Sequence, residues 1–275
     1  MPINPTRPVL RWHGGKWILA PWIISHFPSH RIYTEVYGGA ASVLLRKPRS
    51  YSEVYNDMNG DVVNLFRVLQ NADQAKELER LMRLTPFARE EFEKSYEIAT
   101  DPMQRAKNLI ILSFMGFGSV AVNRQKTTGF RANSARSGTT PAHDWRNYPE
   151  SMAATIERLR GVVIENRPAL EVLRQHDSVD TLHFVDPPYL HSTRKKGQMN
   201  NYTHEMTEAD HRELAAALGA MGGGVVLSGY PSQIYEELYS GWHRVERPAL
   251  ADGARARTEV LWINEKAWAQ SGRLL

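Results

Sequence analysis

Short apolar runs alternate along the chain with longer stretches in which apolar positions recur every three or four residues, the pattern of buried strands interleaved with amphipathic helices. Residues 17–27 read as a first helix. Residues 31–36 read as a strand that runs into Tyr37-Gly38-Gly39-Ala40-Ala41-Ser42, a loop of small residues, and then a short helix. A second strand, 52–55, ends at Asn56-Asp57 ahead of a helix from about 60 to 69. The strand pattern resumes at 162–165, 182–185 and 224–228, with helices fitting between, and Thr207 with Asp210 has the form of a capping box opening a helix to about Met221. Residues 242–247 and 258–263 form a closing antiparallel pair. The expected fold class is therefore α/β, a doubly wound and mostly parallel sheet with an antiparallel edge.

Between the second and third strands the pattern changes. Residues 74–115 carry three helical stretches, with starts signalled by Thr85-Pro86 and by Asp101-Pro102 with Gln104. Residues 116–143 are loop-like, rich in Gly, Ser, Thr, Asn and Arg, with a hairpin expected around Thr127-Thr128-Gly129. The organisation predicted is one domain formed by 1–71 and 148–275, carrying an inserted subdomain at 72–147, which suits a length of 275 residues.

Composition narrows the chemistry mainly by exclusion. The chain has no cysteine, so disulfide scaffolds, thiolate zinc sites and cysteine nucleophiles are ruled out. The histidines show no H-E-x-x-H or other metal-ligand spacing, and no metal is expected. The longest apolar run, 109–117, is too short to span a membrane. The first residues lack the apolar segment of a leader, so an intracellular, cytoplasmic location is expected. Formal charge is only +4, but its distribution is uneven: 102–143 holds no acidic residue and contains Arg105, Lys107, Arg124, Lys126, Arg131 and Arg136. Arg194-Lys195-Lys196 form a second basic cluster. A solvated basic face and a polyanion-binding surface are both consistent with this.

The chemistry concentrates at Asp186-Pro187-Pro188-Tyr189, directly after the strand 182–185. Two prolines fix φ and remove two backbone donors, so the chain leaves the sheet on a stiff turn with free carbonyls. A carboxylate, a carbonyl and an aromatic face then lie together at the carboxyl end of a strand, where α/β sheets bind ligands, an arrangement suited to an exocyclic amino group on a flat ring. Taken alone, the tetrapeptide also reads as a strand end with a capping aspartate.

Order along the chain separates these readings. Trp12-His13-Gly14-Gly15-Lys16, then Glu35 to Ser42, then Asn56-Asp57, then Asp186 to Tyr189 together resemble the Dam-type, D12 class of DNA adenine-N6 methyltransferases over nearly the whole chain. The resemblance implies a class I methyltransferase fold that uses S-adenosylmethionine and acts on double-stranded DNA, with the inserted segment and its hairpin as the target-recognition region. It implies catalytic roles for Asp186, Pro187, Pro188 and Tyr189, and cofactor contacts from Trp12, Lys16, Glu35, Gly39, Asp57 and Asp186. DNA contacts are expected from Arg124, Lys126 and Arg131 in the hairpin and from Arg194, Lys195 and Lys196 after the Pro-Pro turn. A cognate restriction enzyme as partner and a monomer or weak dimer also fit, and GATC is the commonest target of the family. RNA adenine or cytosine N4 as acceptor, and a non-catalytic DNA-binding regulator, are the alternatives. Two departures stand out. The family's E-P-F-x-G-x-G is here Glu35-Val36-Tyr37-Gly38-Gly39-Ala40-Ala41, and the Asp-Phe pair often found where the cofactor's adenine is held is absent around Asn166-Arg167-Pro168.

Overall fold

The computed structural model describes residues 4–118, 122–123, 127–133, 138–193, 202–251 and 255–271. It divides into two compact units, one comprising Met1–Trp17, Gly39–Arg46 and Asn59–Ile164, the other Ile18–Gly38, Lys47–Met58 and Glu165–Leu275.

The second unit carries the strands of the sheet apart from residues 162–164, which belong to the first. Strands β1 (Ile32–Glu35), β2 (Ser52–Asn56), β3 (Val162–Glu165), β4 (Thr181–Val185), β5 (Gly224–Gly229), β6 (His243–Ala251) and β7 (Arg255–Ile263) take the order β3-β2-β1-β4-β5-β7-β6. The pairs β2/β1, β1/β4 and β4/β5 are parallel, while β5/β7 and β7/β6 are antiparallel. This is the predicted arrangement. Alternation along the strands sorts side chains to two faces. Val54, Val185, Val225, Leu227, Val260 and Trp262 turn to one face and form a core with Val172 and Leu173 of α8 (Ala169–Gln175), Leu214 and Leu218 of α9 (Glu208–Gly219) and Tyr235 of α10 (Gln233–Leu238). Tyr33, Glu35, Glu53, Phe184, Ser228 and Glu259 turn to the other face. There the Phe27 ring packs on Tyr33 and Phe184, and a buried ion pair, Lys47 Nζ to Glu53 at 2.6 Å, ties the β1–β2 connection.

The first unit is helical: α2 (Gly60–Gln70), α3 (Ala72–Leu84), α4 (Arg89–Lys94), α5 (Pro102–Met115), α6 (Pro141–Arg146) and α7 (Tyr148–Leu159). Its centre is α5, started by the Asp101 side chain accepting from Gln104 N–H and buried along nearly its whole second half. The expected start at Thr85-Pro86 is corrected. Thr85 closes α3, its hydroxyl and N–H both donating to the Leu81 carbonyl, and α4 begins only after Ala88. Where the hairpin is expected around Thr127-Thr128-Gly129, the described residues show an antiparallel bridge between Gly116 and Phe130, with the Gly129 carbonyl accepting from Phe117 N–H, and Phe130 packed on Phe87 and Phe92. The capping box at Thr207 and Asp210 forms as expected. The first helix is shorter than predicted, only α1 (Ala20–Ile24). The helix expected after Ser42 is instead a series of turns. Among the described residues, no helix is long and apolar enough to cross a membrane.

Three histidines of the second unit, His30, His176 and His183, are held below the ordinary histidine range, in each case mainly by burial. His183 lies fully buried on β4, with Nδ1 2.7 Å from Thr34 Oγ1 and Nε2 3.2 Å from Asp177 Oδ1. Because these imidazoles resist protonation in the folded state, the unfolded chain takes up protons first as pH falls. Their contribution is complete above about pH 6.5, the unfolded value, and is lost progressively below it. Thermal unfolding followed between pH 8 and pH 5 is therefore expected to give a flat Tm above pH 7 and a falling one beneath it. His183→Gln should reduce the fall, and an equal fall in that variant would remove His183 from the explanation.

Candidate active site

The site is built first by register. Glu35 pairs with Tyr55 on one side and Phe184 on the other. Two residues further along each chain come Tyr37, Asp57 and Asp186, so both acids follow the carboxyl ends of the two strands that flank β1. Asn56 fixes this edge. Fully buried, it donates from Nδ2 to the carbonyls of Val36 (2.9 Å) and Arg167 (3.0 Å), its Oδ1 accepts from Arg167 N–H, and its own carbonyl accepts from Gly38 N–H. Asn166 Nδ2 donates to the Asp57 carbonyl at 2.7 Å. The aspartate at the tip of β2 is thus held through its backbone. Both acids are half-buried. Glu35 is buried beneath them, with Oε2 accepting the Tyr33 hydroxyl at 2.7 Å. Burial, reinforced by Asp210, Glu213 and Asp57, pushes the Tyr37 phenol well above its usual range, so it keeps its proton.

Glycines in the loop after β1 meet aromatic rings. A Cβ on Gly38 would fall onto the Tyr55 ring, and one on Gly39, whose φ is +48°, would come within 2.5 Å of Trp12 Nε1. Ala41, where the family pattern has its last glycine, is fully buried with a φ of +53°. Past that left-handed residue the chain runs on in turns, with Leu45 N–H bonded to the Ala41 carbonyl and Arg46 N–H to the Val43 carbonyl. In the same unit, Lys16 is buried with Nζ 2.7 Å from the Gly14 carbonyl, and Gly15 N–H bonds the Trp12 carbonyl.

The Pro-Pro turn delivers Pro187 and Tyr189 into buried positions and leaves Pro188 half-buried. Tyr189 Oη lies 3.0 Å from Ser228 Oγ and 3.2 Å from Glu259 Oε2. Its ring meets that of Tyr230 edge-on at 4.4 Å, and the Arg257 guanidinium lies over Tyr230 at 4.9 Å. The segments Asn56-Asp57, Ser228-Gly229-Tyr230 and Arg257-Thr258-Glu259 resemble the family in sequence, which gives Asn56, Ser228 and Glu259 no individual role. Polarity adds a second signal: Ser228 lies in an otherwise apolar strand, and Glu259 directly precedes the apolar run Val260 to Ile263. Of the basic residues, Arg131 donates from Nη1 to the Phe114 carbonyl in the last turn of α5, an anchor of the hairpin base. Arg124, Lys126, Arg194, Lys195 and Lys196 lie outside the described residues. Among the described residues, no group of His, Asp and Glu is arranged to hold a metal ion.

A carboxylate-bearing edge disfavours phosphate and favours a ligand that brings hydroxyl donors and cationic groups. The family model described as "D12 class N6 adenine-specific DNA methyltransferase" matches residues 12–250. The "DNA adenine methylase" of Salmonella typhimurium is 22% identical over 272 residues, covering 94% of each chain. Among solved structures, a precorrin 8w decarboxylase of Methanobacterium thermoautotrophicum superposes with a TM-score of 0.36 at 10% identity, over 90% of this chain and 89% of that one. The chain belongs to the D12 class of N6 adenine-specific DNA methyltransferases, and its fold is the class I methyltransferase fold of that family.

Ala41 carries a left-handed backbone that costs an L-residue about 1 kcal/mol relative to glycine. Ala41→Gly is expected to raise Tm by about 2–4 °C. Gly38→Ala should lower stability by about 1–3 kcal/mol through the Tyr55 clash. Thermal unfolding of both variants checks the pair, and an unstable Ala41→Gly protein would show that the alanine methyl fills needed space.

Proposed function

We propose that this D12-class enzyme methylates the N6 amino group of an adenine turned out of double-stranded DNA, with Asp186 and Pro187 as the groups that act on that nitrogen. The observation that carries the reading is the pair of acids, Asp57 and Asp186, just past the carboxyl ends of the strands that flank β1. Family membership implies S-adenosylmethionine, which supplies an activated methyl group on a sulfonium. Its ribose hydroxyls suit Asp57 as acceptor, and its cationic groups suit an edge bearing carboxylates. Trp12, Lys16, Glu35 and Gly39 are assigned to the same cofactor, Lys16 to its carboxylate.

Adenine N6 is a weak nucleophile because its lone pair is delocalised into the ring. The Asp186 carboxylate and the Pro187 carbonyl accept its two amino protons, which draws the nitrogen towards tetrahedral geometry and offsets the positive charge it gains. Two prolines make that acceptor pair rigid, so little reorganisation accompanies the reaction. Tyr189 supplies an aromatic face for the base. Unstacking an adenine from the duplex costs on the order of a few kcal/mol, which the pocket contacts offset. The segment 72–147 is read as the target-recognition region, with Arg124, Lys126 and Arg131 in its hairpin. Arg194, Lys195 and Lys196 are read as phosphate contacts. We place the enzyme with chromosomal or phage DNA in the cytoplasm, as a monomer or weak dimer.

Incubation of the purified protein with labelled S-adenosylmethionine and unmethylated genomic DNA, followed by sequencing for modified bases, is expected to give N6-methyladenine at one short motif. Asp186→Ala should abolish it, and undiminished methylation by that variant would refute the assignment of Asp186. Asp57→Ala is expected to weaken S-adenosylmethionine binding by about tenfold or more, measured by calorimetry, through loss of a charged acceptor. Arg194→Ala should lower the slope of log Kd against log salt by about one without changing sequence preference.

A further inference from the structure

Glu259 is a buried carboxylate on β7, between Thr258 and the apolar run Val260 to Ile263. Taking a charge out of water is costly unless the charge does something there. Its register places it beside the working tetrapeptide. Ser228 pairs with Leu261 and Gly229 with Val260, so the next residues outward are Tyr230 and Glu259, on the same face as Ser228. The Tyr189 hydroxyl comes down onto that face from the end of β4, between Ser228 Oγ at 3.0 Å and Glu259 Oε2 at 3.2 Å.

A carboxylate can only accept, so the single phenol proton goes to Glu259. The phenol oxygen is then left as acceptor, and the Ser228 hydroxyl donates to it. Both bonds therefore run one way, from Ser228 to Tyr189 to Glu259. We propose that this directed relay sets the plane and the electron density of the Tyr189 ring for the target base, making Glu259 and Ser228 positioning residues of the methyl transfer. The proposal rests on the reading of Tyr189 as the ring that faces the adenine. A phenol O–H lies in the plane of its ring by conjugation, so fixing the direction of that bond fixes the plane. Tyr230, edge-on at 4.4 Å, supports it from the side. Donation to an anion also pushes electron density back into the ring, and an electron-rich face suits a base that becomes positive as N6 gains its fourth bond. Burial first, then the charges of Asp186 and Glu259, hold the phenol well above its usual range. Tyr189 therefore keeps its proton throughout and acts as a platform.

Steady-state methylation of duplex DNA by Glu259→Gln, Ser228→Ala, Tyr189→Phe, Tyr189→Ala and the double variant Tyr189→Phe/Glu259→Gln tests this, with the emission of 2-aminopurine at the target position as a second readout. Glu259→Gln and Tyr189→Phe are each expected to lower kcat about tenfold with KM for DNA and for S-adenosylmethionine unchanged. The double variant should be no slower than the slower single, because both remove the same bond. The 2-aminopurine emission of the bound complex should shift in both singles. Effects that multiply, or an unchanged kcat in Glu259→Gln while Tyr189→Ala is slow, would overturn the relay and leave Tyr189 at the base. A Tyr189→Ala enzyme as fast as the parent would overturn the reading of Tyr189 and the relay with it. If Glu259→Gln fails to fold, the cycle of Ser228→Ala with Tyr189→Phe makes the same test, with additive losses as the refuting result.

Discussion

The parallel register of β2, β1 and β4 aligns the strand ends that Asp57, Tyr37 and Asp186 follow, and the chemistry assigned to this edge needs those ends to be held. A slip of one residue in either ladder would turn an acid to the opposite face, because side chains alternate with a period of two. Hydrophobic burial on the Val54, Val185 and Trp262 face resists such a slip. At the edge itself the ladder has ended, and Asn56 takes over. By bonding Val36, Gly38 and Arg167 it ties the exits of β1 and β2 to the segment before α8. One fully buried amide thus satisfies backbone groups that would otherwise leave the sheet without partners.

The loop after β1 illustrates how one sequence feature can have two physical causes. Small residues there suggest close approach of a ligand to the backbone. The structure adds a second reason, since Gly38 and Gly39 are each covered by an aromatic ring of their own unit, Tyr55 and Trp12 respectively. Ala41 sits where the backbone is left-handed and the family pattern has glycine. The strain is local, about 1 kcal/mol, and it sits in a fully buried segment whose neighbours over-determine its conformation. A methyl at this position keeps the loop's shape while making it less stable.

Much of the fold was legible because its signals are periodic. Strands at 162–165, 182–185 and 224–228, the Asp101 and Thr207 caps and the antiparallel closing pair all follow from alternation and capping chemistry. Thr85-Pro86 misled because threonine serves either end of a helix: here its hydroxyl bonds back to Leu81 rather than forward. The helix expected after Ser42 gave way to turns that follow the positive φ of Ala41, a backbone feature that no hydropathy pattern carries. Of the site, the acids and the Pro-Pro turn were readable as motifs. The roles of Asn56, Ser228 and Glu259 were not, because each depends on a partner far away in sequence, Arg167 for the first and Tyr189 for the other two.

Residue type alone does not make a reactive site, and the chain contains its own control. Thr34, His183 and Asp177 form a hydroxyl–imidazole–carboxylate chain with contacts of 2.7 and 3.2 Å, the composition of a nucleophilic triad. Yet Thr34 and His183 are fully buried within β1 and β4, short of the carboxyl edge, and Asp177 spends its oxygens on the N–H groups of Gly222 and Gly223. No substrate can reach that hydroxyl, and the imidazole is held neutral chiefly by its burial. The chain therefore acts as structural glue across the sheet. Tyr189, Ser228 and Glu259 are equally ordinary as residues, and are buried too, Tyr189 and Glu259 less completely than Thr34 and His183. What differs is place: Tyr189 hangs from a proline-stiffened turn two residues past the rigid acceptor pair, at the end of the sheet where doubly wound folds leave their crevice. There a hydrogen bond that would elsewhere only add stability also fixes the orientation of a ring beside the reacting base.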